Sequence, residues 1–101
     1  MEPTLIAYMA GILDGEGNVG CYKRKDELCR QTIRLEMTAE SIPRLFKETF
    51  GGAFTSRDRS AQPGRANEKR TYIWGVDGKK ARGVYAILKP YLRLKHLPER
   101  S

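Results

Sequence analysis

The sequence predicts a two-layer α+β domain in which an antiparallel sheet is covered on one face by helices. Three observations predict it. Four short stretches alternate apolar and polar residues, three others carry apolar residues at helical spacing, and the two kinds follow one another as α-β-β-α-β-β-α. A chain of 101 residues has the length of a single domain, here 1–101.

The first helix is expected over Pro3–Asp14, with Pro3 and Thr4 in its first turn. It is apolar nearly all round, with Leu5, Ile6, Met9, Ile12 and Leu13 beside the small Ala7, Ala10 and Gly11, and such a helix has to be covered on both sides. A short chain has little material to do so, which makes a partner subunit the natural cover. Strands follow at Asn18–Lys25 and Cys29–Thr38, joined by the turn Asp26-Glu27. In the second strand Ile33, Leu35 and Met37 point inward and Thr32, Arg34 and Glu36 outward; in the first, Val19 and Cys21 point inward. The second helix, Ser41–Phe50, is capped by Thr38 or Ser41, with Pro43 favouring Ser41, and is ended by Gly51. A second strand pair, Gly52–Arg59 and Lys69–Val76, is linked by the polar segment Ser60–Glu68 with its Pro63-Gly64. Tyr72, Trp74 and Val76 belong to the core. Asp77 is placed to cap a third helix running to about Lys89, with Ala81, Val84, Tyr85 and Leu88 as its apolar stripe and Pro90 ending it.

Composition narrows the function. The formal charge is +7, and it is local: residues 1–56 carry a net −1 and residues 57–101 a net +8. Such a surplus on one part of the chain fits a polyanion binder. No apolar run approaches the roughly 18 residues of a membrane span, and no signal-peptide pattern opens the chain. Cys21, Cys29 and the lone His96 are too few for a disulfide scaffold or a four-ligand zinc site. These features lead us to expect an intracellular protein, in a bacterial or phage cytoplasm or an organelle, with both cysteines as thiols.

The most specific stretch is Met9-Ala10-Gly11-Ile12-Leu13-Asp14-Gly15-Glu16-Gly17. With Tyr8 before it and Asn18 after it, it resembles the signature of the LAGLIDADG homing endonucleases, of the single-motif, homodimeric type. The element order is also that family's, and Pro90-Tyr91-Leu92-Arg93-Leu94-Lys95 resembles its basic segment after the last helix, so the resemblance covers nearly the whole chain. Small residues one turn apart, Ala7, Gly11 and Gly15, allow two such helices to pack closely. The resemblance implies a homodimer through the first helix, with Ala7, Ala10, Gly11, Asp14 and Gly15 at the interface. Asp14 is read as structural, hydrogen-bonding backbone of the neighbouring helix. Glu16 and the carbonyl of Gly15 are the implied ligands of Mg²⁺, for which Mn²⁺ can substitute. Lys95 is the implied basic residue at the scissile phosphate, with Arg93 a weaker alternative. The implied activity is metal-dependent cleavage of double-stranded DNA at a long, near-palindromic site.

Two departures stand against the pattern. Several single-motif relatives place a glutamine, and further on an arginine, at the start of the second helix to organise active-site water; here the region holds Ala39, which lacks that capacity, and Arg44. Relatives also often continue with further helices after the lysine, so a chain ending at Ser101 is either a minimal or a truncated member. The corresponding alternative function is a non-cleaving nucleic-acid binder on the same scaffold, an intron RNA splicing cofactor or a DNA-binding regulator.

The reading surface follows from the alternation. Tyr22, Arg24, Arg30, Thr32, Arg34, Glu36, Thr55, Arg57, Arg59, Lys69, Thr71 and Ile73 fall on the open sheet face, which suits the major groove. Arg65, Lys69 and Arg70, in or beside the long connection, suit phosphate. Lys79, Lys80 and Arg82 are either a phosphate clamp or solvated charge.

Overall fold

The computed structural model describes residues 2–22, 29–58 and 70–98. The elements are α1 (Pro3–Glu16), β1 (Gly17–Tyr22), β2 (Arg30–Met37), α2 (Ser41–Phe50), β3 (Ala53–Arg57), β4 (Thr71–Asp77) and α3 (Gly78–Leu88), followed by a 3₁₀ turn at Lys89–Tyr91. The order is the expected one. All neighbouring strands are antiparallel, in the order β1-β2-β4-β3, so the two hairpins meet along β2 and β4 in the middle of the sheet.

The two-residue period decides which face is covered. Leu35 lies opposite Trp74, and Ile33 opposite Val76, so the large apolar side chains of the central strands share one face. Ile6, Met9, Ala10 and Leu13 of α1, Phe46 of α2, and Ala81, Val84 and Leu88 of α3 complete that core. Trp74 is fully buried with Phe46 and Phe50 around it, ring centroids 4.9 and 6.2 Å away. Its indole N–H donates to the Gly51 carbonyl at 2.7 Å, so burial leaves no polar atom of the ring without a partner. Gly51 and Gly52 reach φ of 75° and 97°, and a Cβ at Gly52 would come within 2.7 Å of the Gly75 carbonyl oxygen, which makes this turn a place for glycine.

Four local expectations are corrected. The first helix runs to Glu16 instead of ending at Asp14. Gly15 continues the helix, and the turn into β1 is made at Gly17, whose N–H bonds to the Leu13 carbonyl and whose missing Cβ would meet that oxygen at 2.8 Å. No side chain caps α2: Glu40 holds the N-cap place and its carboxylate pairs with Arg44 one turn on. Asp77 precedes α3 without capping it, its carboxylate pairing with Arg30 at 3.4 Å. Cys21 and Cys29 form a disulfide, with Cα atoms 5.5 Å apart, where thiols were expected. The register explains their meeting: Cys21 lies opposite Gln31, two residues from Cys29 across the first hairpin.

Candidate functional site

The end of α1 brings three predicted residues together. The Asp14 carboxylate accepts the backbone N–H groups of Arg93 at 2.7 Å, Lys95 at 2.9 Å and Leu94 at 3.1 Å. Partial burial pushes the Asp14 carboxyl up; the donors of Arg93, Lys95 and Leu94 and the charge of Lys95 outweigh it and hold the group below its usual range. The expected bond to a neighbouring helix is thus corrected: Asp14 is occupied by its own chain, 79 residues and more away in sequence. The clasp fixes the backbone of Lys95 beside the helix end that carries Gly15 and Glu16.

Glu16 is the last residue of α1 and is exposed. Among the described residues it makes no hydrogen bond or ion pair. The last four carbonyls of a helix lack intrahelical partners, and the helix dipole makes that end electronegative. Leu13 gives its carbonyl to Gly17, while those of Gly15 and Glu16 belong to the same final turn. A free carboxylate beside such carbonyls is a place for a hard cation. Among the described residues no group of three or more His, Cys, Asp or Glu gathers to hold a metal ion.

A second clasp holds the same C-terminal segment. Gln31, buried on the covered face of β2, donates to the Pro98 carbonyl at 2.6 Å and accepts from Arg82 at 3.0 Å. Sequence reasoning missed Gln31; its signal was a polar residue at an inward position of an alternating strand. Arg82 is therefore engaged in the fold, whereas Lys79 and Lys80 stand exposed. Between α3 and the segment, Lys89, Arg93, Lys95 and His96 line a hollow of about 230 Å³, a concentration of basic side chains around the predicted lysine.

The outer side of α1 remains bare within the chain. Gly11 and Gly15 are exposed, and a Cβ at either would meet nothing within 4 Å. Ala7 is half-buried and Tyr8 is 54 % exposed. Ala10, expected at a subunit interface, lies instead in the chain's own core with no exposure, because it shares the inward stripe of Ile6, Met9 and Leu13.

The open face of the sheet carries the predicted reading set. Arg34 lies opposite Asn18 and Gly75, Thr32 opposite Gly20 and Asp77, Glu36 opposite Ile73, Thr55 opposite Ile73, and Arg57 opposite Thr71. Glu36 sits among these cations: Arg34 lies 3.8 Å and Arg57 4.0 Å away, and the Thr71 hydroxyl donates to it at 2.5 Å. The arginines are thereby held in fixed directions, at the cost of some of their net charge. Arg30 stands at the start of β2, in register with Tyr22. Arg70 precedes β4 and turns to the Ser56 hydroxyl at 3.0 Å and to Asp58 at 3.7 Å, on the side opposite to Thr55 and Arg57. The side chain of Tyr22, and Arg24, Arg59, Arg65 and Lys69, lie outside the described residues. No helix among the described residues is long and apolar enough to cross a membrane.

Solved structures with this fold are known. The archaeal intron-encoded homing endonuclease I-Vdi141I, complexed with DNA, superposes with a TM-score of 0.63 at 18 % identity, over 90 % of this chain and 57 % of its own. The LAGLIDADG homing endonuclease I-GzeII, in complex with its DNA target, gives 0.59 at 17 % identity over 85 % of this chain and 28 % of its own. The chain has the LAGLIDADG-like α+β fold and spans about half and about a quarter of the lengths of those two proteins. No family model and no curated protein matches the sequence.

Proposed function

We propose that the protein is a site-specific double-strand DNA endonuclease, acting as a homodimer on a near-palindromic site with Mg²⁺ or Mn²⁺. The observation that carries this reading is the end of α1, where an exposed, unengaged Glu16 stands beside a clasp that fixes Lys95. The fold shared with two homing endonucleases supports it, as does the arginine-bearing open face of the sheet.

In this reading two copies pack through Ala7, Gly11 and Gly15, and their Glu16 carboxylates approach each other. Glu16 and the Gly15 carbonyl would hold the metal, which hard oxygen donors suit. The bound ion supplies compensation for negative charge at the reacting phosphate. The Lys95 ammonium offsets further charge there or polarises the attacking water. Arg30, Arg34 and Arg57 bind in the major groove, where arginine pairs with guanine edges, and counterion release adds affinity that falls with salt.

The test is selection of cleaved duplexes from a randomised library with Mg²⁺, followed by Glu16→Gln on the selected site. Gln keeps the size and one oxygen but removes the charge. Cleavage should fall by several orders of magnitude, equivalent to several kcal/mol of barrier, while a gel-shift titration in Ca²⁺ stays near wild type. Unchanged cutting would place the active site elsewhere. One observation favours a second reading, the non-cleaving binder (an intron RNA splicing cofactor or a DNA-binding regulator): Ala39, exposed ahead of α2, offers no polar group to organise water. No cleaved duplex in that selection, together with tight binding of a duplex or intron RNA selected by binding alone and not cut in Mg²⁺ or Mn²⁺, would favour it.

A further inference from the structure

The open face of the sheet is not uniformly polar. Between β2, β4 and β3 lies a hollow of about 400 Å³. It exists because Gly75 has no side chain at a position flanked by Arg34 on one strand and Ala53 on the other. Its lining is apolar at Ile73, Gly75 and Ala53, with Thr55, Thr32 and Arg34 around it and the charged Asp77 and Lys80 at its rim. Ile73 is 7 % exposed and points away from the helices, so an aliphatic side chain sits on the face that has no protein layer over it.

We propose that this hollow is a thymine-reading subsite, receiving the C5-methyl group of a T·A pair in the major groove of duplex DNA. The proposal rests on the reading that the open face binds a DNA duplex, and it names what one part of that face recognises. The major groove of unmodified DNA offers a single apolar group, the thymine methyl; every other base edge there presents hydrogen-bond donors or acceptors. An apolar floor within an arginine-bearing surface matches that one group, and a methyl-bearing threonine such as Thr55 is a usual neighbour for it. Arg34 and Lys80 at its rim carry charge complementary to the phosphates on either side.

The fold allows the hollow to be filled without disturbing the backbone. A Cβ at Gly75 would meet nothing nearer than the Ile33 carbonyl oxygen at 3.5 Å and the Arg34 Cγ at 3.9 Å, both ordinary contacts. Gly75→Val therefore places a side chain in the hollow, and Gly75→Ala is the gentler variant if valine lowers the melting temperature.

The experiment selects bound duplexes with the wild-type chain and then replaces each thymine of the selected site, one at a time, by deoxyuridine, which lacks only the methyl. Gel shifts in Ca²⁺ should find one thymine position in each half-site where the loss weakens binding on the order of fourfold per methyl. In the filled variant that penalty should vanish, with the salt dependence of binding unchanged. If a tightly bound site has no thymine whose methyl matters, or if the penalty survives filling of the hollow, the subsite proposal falls and duplex recognition by the sheet stands. If selection enriches no duplex and binding does not depend on salt, the underlying DNA reading falls and the subsite with it.

Discussion

The two faces of the same four strands follow opposite rules. On the covered face Trp74, Leu35 and Ile33 are fully buried and the indole N–H has a backbone partner. On the open face Arg34 and Arg57 are held by Glu36, and an apolar hollow is left where Gly75 omits a side chain. The difference lies in what each face can lose. Removing volume from the first destabilises the chain, whereas changing charge on the second leaves its folding nearly untouched and, under the proposed function, alters DNA binding.

The largest break in that contrast should come from Phe46→Ala. Phe46 is fully buried against Trp74, and truncating such a ring costs about 3–5 kcal/mol. Urea unfolding should read the loss directly, and a loss below about 1 kcal/mol would mean that this core is not the source of stability.

Next in size is Asp14→Ala. It removes an acceptor from three backbone donors, and an effect on the order of 1–3 kcal/mol follows, together with release of the segment that bears Lys95. The pH dependence has a definite sign. The folded-state pKa of Asp14 lies below the ordinary value of 3.8, so its stabilisation is complete above that value and fades as the pH falls through the lower folded one. Asp14→Asn should flatten the acid limb of the stability profile, and an unchanged limb would assign it to other carboxylates.

Gly11→Leu sharpens the comparison on the outer side of α1. Space around Gly11 is open within the chain, and glycine inside a helix is about 0.5–1 kcal/mol worse than alanine, so the isolated fold should gain slightly. Under the proposed helix pairing the same change separates two copies. Light scattering should find monomer or aggregate, and an unaltered dimer mass would remove α1 from the interface. Glu36→Gln should cost on the order of 1 kcal/mol, since glutamine keeps an acceptor for the Thr71 hydroxyl while the ion pairs with Arg34 and Arg57, both well exposed, are lost. Duplex binding should tighten and steepen with salt as Arg34 and Arg57 are freed for phosphate or base contacts.

Much of this architecture was legible in short-range patterns. The alternation Ile33-Leu35 against Thr32-Arg34-Glu36 decided which face of β2 is covered, and the placing of Trp74 and Val76 in the core held in β4, whereas Tyr72, expected there too, is only half-buried and Ile73, on the other face, is itself buried. The patterns failed where a long-range partner decides. Asp14 looked like a contact for a second helix because nothing near it in sequence reveals the donors of residues 93–95. Ala10 looked like interface because small residues serve both close helix pairing and tight cores. Asp77 was expected to cap α3, but a cation two residues along the neighbouring strand, Arg30, competes for the same carboxylate. The thiol state of Cys21 and Cys29 was inferred from their number, whereas their bonding follows from the register of β1 and β2.

Trp74 has an optical consequence. It is the single tryptophan of the chain, and it is enclosed by aromatic rings on the covered side of the sheet. Its fluorescence is therefore a built-in, label-free gauge of the core, shifting to the red when unfolding admits water to the indole. A nucleic acid lying on the opposite face does not touch that chromophore. Emission that changes during a DNA titration then reports a rearrangement carried through the strands, and emission that stays constant reports rigid-body docking.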